Sequence, residues 1–558
     1  MFNNKKYLLS VLIILQFISI ILPVYYMKYA ERNFDVNSLD PINAERTWRQ
    51  LRFNTLIHGR LWYKDDKMQN IPDLVESLPT QSNSREAIVK IRDNARWHDG
   101  REITASDVIF SFNLYRECNI SEYSSIAKKL IVEQIDNKTI RIKPEIGTSS
   151  FWYYVTDGVS KLYILPKHSI NEIGIILPGD NYSKKPLGSG TYRIENVTKD
   201  SERKIIELSR HPYYYYDEFA SNEKIKEITM TTEPIMSFIV DGLTINNENS
   251  YKKNSSKSPK RGLDLIVEEM SSISNLQLLQ AYPHIRSKSY EKNRWTGLAI
   301  NTRKQLLDNI DFRILLDKMI NNKLIMNNSY DDGAMPITGP FHPSFGIQKE
   351  GLLDRYESDM SVIVSELENK YKVKKIKNSL HVLDRNTGKN IPLEFRILFN
   401  KDFVQDGSRE DDAIQEIKNR LEQYGIKVIL DGNSRETYKI KILDYDYWDL
   451  AFEQKEFSWN NNIWPIFNPN NTSHTGNITG YNNPVLTDLF KKFFRTPNVR
   501  VKQELGEQIH QHCYDNVPYL FLWSPEPICF YRDVLRDLTI TPMEFFSTSR
   551  EWGVKNRQ

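Results

Sequence analysis

The sequence predicts an α/β protein built from at least two packed lobes. Segments with the two-residue period of strands alternate along the chain with segments of helical period, a pattern typical of the α/β class. The chain has 558 residues, and one hydrophobic core seldom extends beyond about 250–300 residues. Hydrophobic residues make up 40% and charged residues 26% of the chain, proportions that indicate a globular protein.

The first element is an uncharged apolar segment, residues 7–27, which follows two lysines. An apolar run of about 20 residues can cross a bilayer, and preceding basic residues favour an N-terminus inside the cell. We therefore predict a signal anchor or signal peptide over residues 1–30, with the rest of the chain extracytoplasmic. An uncleaved anchor is favoured, because cleavage after Ala30 would put Lys28 where a signal peptide needs a small residue.

Residues 86–112 hold the clearest local signals for secondary structure. Residues 86–91 alternate polar and apolar side chains, as a half-buried strand does. Asp99-Gly100 predicts a turn, and Thr104, with Asp107 three residues later, predicts the start of a helix. This stretch is therefore expected to form a strand, a turn and a capped helix.

Two later segments predict amphipathic helices, residues 311–325 and residues 411–424, because their apolar side chains repeat on one face. Gly425 is expected to end the second helix, and the residues after it (IKVIL) predict a strand. Residues 246–261 are rich in Asn, Ser and Lys and have no apolar pattern, so they predict a flexible surface insertion.

Charge and motif content argue against several classes of function. With 75 basic and 72 acidic residues, the chain lacks the basic excess of a protein that binds nucleic acid. It has no HExxH, GxSxG or GxxxxGK[ST] motif, and Gly188-Ser189-Gly190 is too short to hold a phosphate. Asp99 and Glu102 resemble paired carboxylates, but a turn explains Asp99-Gly100 better. We predict no catalytic residue and no cofactor.

The segment from His510 to Cys513 (HQHC) is the strongest metal-like signal. Residues two positions apart do not share a helix face, so His510 and His512 would point apart, and no metal site is predicted. None of the three cysteines forms a CxxC pair. A disulfide between Cys513 and Cys529 is one alternative in an oxidising compartment, and buried, unpaired thiols are the favoured one.

Residues 91–112 (IRDNARWHDGREITASDVIFSF) closely resemble the signature of the family 5 extracellular solute-binding proteins. This family serves ABC importers of oligopeptides, dipeptides, nickel chelates and some sugars. Other segments resemble further parts of the family in the expected order, namely residues 37–62, 186–195, 295–321, 478–490 and 516–523. The resemblance covers nearly all of the chain after residue 35.

The resemblance implies a two-lobed periplasmic-binding-protein-like fold (type II, large, with an extra subdomain) behind the N-terminal segment. It divides the chain into residues 31–60 (lobe I), 61–185 (extra subdomain), 186–294 (lobe I, with the insertion), 295–515 (lobe II) and 516–558 (return to lobe I). It also implies a ligand between the lobes, buried by hinge closure that a membrane permease reads. The partners it implies are an ABC permease and ATPase subunits, and a monomer is expected.

One stretch departs from the family pattern. Peptide-binding members carry an aspartate just after a cleft tryptophan, which pairs with the α-ammonium of the ligand. Within the matching residues 448–467, the positions after Trp459 are Asn460, Asn461 and Asn462. An amide offers no charge, and a charge-assisted hydrogen bond is roughly twice as strong as a neutral one.

We predict that the ligand contacts this loop, through Trp459, Asn460, Asn461, Asn462 and Trp464. The alternative is a polar loop with two core tryptophans. The predicted function is capture of an oligopeptide or peptide-like ligand for an ABC-type importer. Two alternatives stay open, a membrane-tethered sensor and a binder of a neutral solute such as an oligosaccharide. An enzyme is disfavoured, because no catalytic constellation supports it.

Overall fold

The fold is given by a computed structural model, which describes residues 26–32, 34, 38–42, 48–65, 69–80, 85–118, 120–148, 150–170, 176, 180–199, 204–216, 224–233, 236–244, 262–267, 273–290, 292–330, 333–343, 346–347, 352, 355–357, 359–376, 379–457, 462–496, 498–541 and 544–554. Residues 1–25, which include most of the predicted membrane segment, and the predicted insertion 246–261 lie outside the described residues. Within the described ranges, no helix is both long enough and apolar enough to cross a membrane.

The elements of the first half follow in chain order. They are β1 (Tyr26–Arg32), α1 (Trp48–Ile57), β2 (Trp62–Lys64), β3 (Asn70–Pro72), β4 (Ala87–Lys90), α2 (Ala105–Glu117), α3 (Ser121–Ala127), β5 (Leu130–Gln134), β6 (Thr139–Pro144), α4 (Phe151–Tyr153), which continues as a π-helical turn (Tyr154–Gly158) and a 3₁₀ turn (Val159–Lys161), α5 (Asn181–Lys184), β7 (Tyr192–Lys199), β8 (Lys204–Arg210), β9 (Glu227–Glu233), α6 (Met236–Thr244), β10 (Leu265–Ile266), α7 (Ile273–Gln280) and β11 (Ile285–Ser289).

The second half continues the order with β12 (Arg294–Ile300), α8 (Ile310–Met319), α9 (Asn322–Tyr330), β13 (Ala334–Pro336), α10 (Met360–Tyr371), β14 (Lys374–Ile376), β15 (Ser379–Leu383), β16 (Asn390–Pro392), β17 (Glu394–Asn400), α11 (Arg409–Gln423), β18 (Lys427–Asn433), α12 (Arg435–Lys441), β19 (Leu450–Glu456), a 3₁₀ turn (Trp464–Ile466), α13 (Pro484–Arg495), α14 (Val499–Asn516), β20 (Tyr519–Pro525), β21 (Ile528–Arg532), β22 (Leu535–Arg536), a 3₁₀ turn (Ser549–Glu551) and β23 (Gly553–Val554).

A seven-stranded sheet in the order β11-β21-β10-β1-β9-β8-β7 forms the centre of lobe I. Strand β1 lies inside it, parallel to both β9 and β10. Met27 and Tyr29 point into the core on one face and Ala30 into the core on the other, and all three are fully buried. The predicted boundary after residue 30 is therefore corrected: lobe I already includes Tyr26, because residues 26–30 are a central strand.

A six-stranded sheet in the order β13-β20-β12-β19-β17-β18 forms the centre of lobe II. Every residue of β12 is buried, with Leu298 in one core and Trp295 in the core on the opposite face. Strand β20 pairs with β12 and β13. The predicted return to lobe I at residue 516 is therefore corrected: the chain leaves lobe II only after Pro525, because β20 is hydrogen-bonded into the second sheet.

A smaller three-stranded antiparallel sheet, β4-β6-β5, lies in the predicted extra subdomain and packs with α2 around a core of its own. The turn predicted at Asp99-Gly100 is present, since Gly100 has a φ of 89°. The predicted helix cap is also confirmed, because the Thr104 amide donates to the carboxylate of Asp107 (2.9 Å). Trp97 is fully buried beneath this turn.

Of the two later helices, the second is confirmed and the first is corrected. Helix α11 ends next to Gly425, whose φ of 87° suits glycine, and β18 follows as predicted. The predicted helix over residues 311–325 is two helices, α8 and α9. The break comes at Ile320, and the side chain of Asn321 accepts a hydrogen bond from the Leu324 amide (2.9 Å), which starts α9 afresh.

The three cysteines are free: Cys118 is half-buried, and Cys513 and Cys529 are buried. The alternative disulfide is therefore wrong, and the favoured interpretation of unpaired thiols is confirmed. Burial raises the pKa of Cys529 to about 12 and that of Cys513 still further, so both thiols stay protonated and unreactive at neutral pH.

Candidate ligand-binding cleft

Two chain crossovers join the large sheets, one over residues 289–294 and the other over residues 525–528. They lie side by side, because the Tyr290 amide of the first donates to the Pro527 carbonyl of the second (3.1 Å). Two adjacent crossovers between packed lobes can absorb the backbone rotation of a hinge. The space between the two sheets beside these crossovers is the candidate cleft.

The loop after β19 begins at the crossover. The amide of Phe457 donates to the carbonyl of Asn293 (2.8 Å), and the Phe457 ring lies 5.9 Å from the ring of Trp295. Trp295 is the second residue of β12, directly after the first crossover. The loop that carries the predicted ligand contacts therefore starts at the base of the cleft.

Two residues of the predicted contact loop, Asn462 and Trp464, lie within the described part of the chain. Trp459, Asn460 and Asn461 lie outside the described residues, and Asn462 is half-buried. Trp464 opens a 3₁₀ turn, and its ring packs against Phe490 of α13 with 5.1 Å between ring centroids. One side of this ring belongs to the core of lobe II, as the alternative expected, and a contact between Trp464 and ligand stays a prediction.

The carboxylates near the end of β19 are engaged within lobe II and at the crossover. Glu453 pairs with Lys455 (2.6 Å) and accepts from the Tyr438 hydroxyl (2.5 Å). Glu456 pairs with Lys292, a buried residue of the first crossover (3.5 Å). The charges of Glu453 and Glu456 are thus already balanced by neighbouring lysines.

Asp449, at the start of β19, is also tied into the fold. Its carboxylate accepts from the backbone amide of Arg396 in the neighbouring strand (2.8 Å), and burial raises its pKa. This hydrogen bond fixes the strand pair and orients the carboxylate toward the backbone. Asp449 is therefore a structural residue and does not replace the aspartate that peptide-binding members carry after the tryptophan.

The extra subdomain also contacts lobe II, through an ion pair that the sequence did not predict. The carboxylate of Asp157, in the π-helical turn, is 2.9 Å from the ammonium of Lys64 and 3.3 Å from that of Lys502 in α14. Burial would raise the pKa of Asp157, but Lys502 and Lys64 together lower it below the usual range of aspartate. The carboxylate is therefore ionised and holds both ammonium groups.

Aromatic rings surround this ion pair on both sides of the cleft. The ring of Tyr153, next to the π-helical turn, lies 5.6 Å from the ring of Phe494 in α13. The ammonium of Lys502 lies 5.4 Å from the Tyr153 ring and 5.2 Å from the Phe493 ring. Both distances fall within the range of cation–π attraction. The extra subdomain and lobe II thus meet through the ion pair of Lys502 with Asp157 and through the ring of Tyr153, which contacts both Lys502 and Phe494.

A polar junction between residues from both ends of the chain holds the extra subdomain to lobe I. It surrounds a cavity of about 30 Å³. At its centre, the Arg60 guanidinium pairs with the buried carboxylate of Glu544 and donates to the Tyr163 hydroxyl (2.5 Å). Burial raises the pKa of Glu544 to about 7, although Arg60 opposes the shift. The charged side chains of Arg60 and Glu544 fill the junction, and the cavity that remains has room for about one water molecule.

The remaining polar signals of the sequence are structural. His510 shares a hydrogen bond with Thr338 (3.0 Å) and His512 with Tyr481 (2.8 Å), so the two rings point to different partners, as predicted. Across the described part of the chain, no group of three or more His, Cys, Asp or Glu side chains could hold a metal ion.

The glycines of the Gly-Ser-Gly segment are needed for packing. A Cβ on Gly188 would lie 1.9 Å from the carbonyl oxygen of Ile57, and one on Gly190 would lie 2.5 Å from that of Leu56. Asp99, the other candidate, binds His168 (2.9 Å) and the Arg101 amide (3.1 Å) at the turn. These groups hold neighbouring segments together.

Comparison with known proteins identifies the family. The model of the bacterial extracellular solute-binding proteins, family 5 Middle, matches residues 69–480. An ABC transporter peptide-binding protein of Brucella ovis is 28% identical over 173 residues, and the match spans 30% of each chain. The oligopeptide-binding protein AppA of Bacillus subtilis is 22% identical over 496 residues, which cover 84% of this chain and 81% of AppA.

Solved structures confirm the two-lobed α/β fold of periplasmic binding proteins. The crystal structure of a peptide binding protein, AppA from Clostridium difficile, superposes with a TM-score of 0.74 at 18% identity. The superposition covers 95% of this chain and all of that one. Likeness at this identity establishes the architecture, and the ligand has to be argued from the cleft.

Proposed function

We propose that this chain, which belongs to the bacterial extracellular solute-binding proteins of family 5, captures an oligopeptide or peptide-like ligand between its lobes and delivers it to an ABC-type importer. The observation that carries the proposal is the pair of adjacent crossovers, with Phe457 hydrogen-bonded to the first of them. A ligand that contacts both lobes favours the closed state by its higher affinity for that state. A permease and its ATPase subunits would then receive the ligand from the closed form.

The contacts proposed for the ligand are those of the loop, Trp459, Asn460, Asn461, Asn462 and Trp464. Because Glu453 and Glu456 are paired with lysines, the amides are the acceptors proposed for the ligand's N-terminus. Neutral acceptors hold an ammonium less strongly than a carboxylate does. Backbone and aromatic contacts should therefore supply most of the affinity for a peptide.

Calorimetry on the full chain with a peptide library tests this proposal. We expect peptides to bind, and we expect N-acetylation to weaken binding by less than about tenfold, the factor produced by ~1.4 kcal/mol. Asn460→Ala should weaken binding, whereas Asn470→Ala, at an exposed position of the same lobe, serves as the matched control. Tight, amine-dependent binding that survives Asn460→Ala would contradict the proposed role of the loop.

A neutral solute such as an oligosaccharide is the second candidate, favoured by asparagines beside Trp459 and Trp464. Asparagine amides and aromatic faces also suit sugar hydroxyls and sugar rings. The same calorimetry with an oligosaccharide panel separates the two ligands. Binding of oligosaccharides without binding of peptides would replace the peptide proposal and leave the family assignment intact.

The proposal includes a site of action outside the cytoplasm, with the monomeric chain tethered to the membrane by its N-terminal segment. A tether raises the effective concentration of the binding protein near a permease, and it would equally serve a membrane-bound sensor. Mass spectrometry of the mature N-terminus tests it. Because Met27, Tyr29 and Ala30 are buried in strand β1, we expect a mature chain that retains them, and a chain that begins near Glu31 would refute the uncleaved anchor.

A further inference from the structure

Lys502 makes a contact between two bodies that are far apart along the chain. It lies in the first turn of α14, in lobe II, and its partner Asp157 lies 345 residues earlier, in the extra subdomain. The two residues are attached to different cores: Val155, beside Asp157, packs in the core of the extra subdomain, and Phe493 packs in that of lobe II. The contact therefore depends on the relative position of the two bodies.

The Asp157 carboxylate is held in place by residues of the extra subdomain alone. Lys64 holds the Asp157 carboxylate from strand β2 and is itself buried. The carbonyl of Thr156 accepts from the indole of Trp62 (3.3 Å) and from the side chain of Asn70 (3.0 Å). These bonds hold the π-helical turn in place without lobe II, so the carboxylate is already positioned before Lys502 arrives.

The side chain of Lys502 remains partly exposed to water while it contacts Asp157. The side chain of Lys502 is 26% exposed, whereas that of Asp157 is 13% exposed. When the bodies part, Lys502 regains its hydration, and Asp157 retains Lys64 as a counter-charge. Separation therefore leaves no buried charge without compensation, and the contact can form and break reversibly.

We propose that Lys502 and Asp157 form a latch that stabilises the closed state of the protein without touching the ligand. The proposal rests on the hinge closure of the proposed function and not on the identity of the ligand. The ion pair and the contacts of the Tyr153 ring with Lys502 and Phe494 cross between the two bodies and are lost together on opening. The contact of Lys502 with Phe493 lies within lobe II and holds the lysine in place. The latch therefore adds a constant, ligand-independent contribution to closure.

Single-molecule energy transfer on the full chain tests the latch. Dyes are attached through Ile146→Cys in the extra subdomain and Ile440→Cys in α12, at side chains that are 96% and 73% exposed. Cys118→Ser removes the half-buried native thiol, and the two buried cysteines stay in place. The quantity measured is the ratio of closed to open molecules without added ligand and with a peptide library.

Lys502→Met should lower the closed-to-open ratio by about three- to tenfold, as expected for one partly exposed, charge-assisted contact. Asp157→Asn should lower it similarly and have no further effect in the Lys502→Met background. The matched control is Lys492→Met, an exposed lysine of α13 whose partner Asp488 lies in the same helix. This control should leave the ratio unchanged.

The outcomes separate the latch from the closure itself. If two populations are seen and Lys502→Met leaves their ratio unchanged, the latch is refuted and hinge closure stands. If every variant shows a single population, both the latch and the proposed closure fail. A fall in the thermal unfolding midpoint of Lys502→Met equal to that of a core substitution would also refute the latch, since it would assign Lys502 a general structural role.

Discussion

The substitution Trp97→Ala tests how the extra subdomain is held together. The Trp97 side chain is fully buried, and within the described structure its indole N–H has no hydrogen-bond partner. Its contribution is therefore apolar packing. Removing the ring withdraws roughly 150–200 Å² of buried surface, worth about 4–5 kcal/mol at ~25 cal/mol per Å². A loss of about 3–5 kcal/mol is expected after partial relaxation of the cavity.

Urea unfolding followed by circular dichroism measures the loss, and hydrogen exchange locates it. Exchange should rise mainly in β4, β5, β6 and α2, which share this core. Ile146→Ala, at an exposed side chain of the same subdomain, is the control and should change stability by less than about 0.5 kcal/mol. A loss below about 1 kcal/mol for Trp97→Ala, or exchange that rises equally in lobe II, would refute the reasoning.

Three further predictions concern the packing beside this subdomain. Gly188→Ala should lower the unfolding midpoint, since its Cβ would lie 1.9 Å from the Ile57 oxygen; an unchanged midpoint would contradict this close approach. Thr104→Ala should cost about 1 kcal/mol in urea unfolding, because it removes the hydrogen bond from the Thr104 hydroxyl to the Asp107 carboxylate; an unchanged free energy of unfolding would show that this bond does not stabilise the helix start. Burial raises the pKa of Glu544 to about 7, so the protonated carboxyl stabilises the folded state fully below pH ~4.5, and this stabilisation is lost as pH rises through 7. Thermal unfolding midpoints measured from pH 5 to 8 should therefore fall with pH, and a flat profile would contradict the raised pKa.

Local elements followed from the sequence where one local signal decided the conformation. The Thr104 cap and the end of helix α11 at Gly425 depend on residues within one turn, and both were predicted. The helix over residues 311–325 was predicted without a break, because the apolar period runs through Ile320. The side chain of Asn321, which accepts from the start of the second helix, overrides that period.

The lobe boundaries depended on strand partners that are distant in sequence. The first two residues of β1, Tyr26 and Met27, end the apolar segment, so hydropathy placed them at the end of a membrane span. The parallel partners of β1 lie about two hundred residues later, in β9 and β10. Strand β20 is apolar and fully buried, and such a strand fits the centre of either sheet. Pairing with β12, which no local pattern reveals, assigns it to lobe II.

The candidate site was predictable only as far as the family motif extended. The loop after β19 was located from its tryptophan and its asparagines. Lys502, Asp157 and Lys64 have no distinctive neighbours in the sequence, and only the fold brings them together. A charged residue in an ordinary amphipathic helix such as α14 is normally read as part of a solvated face. The sequence therefore contained no signal for the contact between the extra subdomain and lobe II.

The loop and the proposed latch bear on the same equilibrium. A ligand shifts the protein toward closure only by the difference between its affinities for the closed and open states. An asparagine side chain of the protein that binds the ligand's N-terminus contributes less to this difference than a carboxylate would. A contact that stabilises closure independently of ligand raises the fraction of binding-competent molecules, and the apparent affinity for every ligand rises by the same factor. Lys502→Met should therefore weaken all ligands equally in calorimetry, whereas Asn460→Ala should weaken them selectively. Selective weakening by Lys502→Met would instead place that lysine in contact with the ligand.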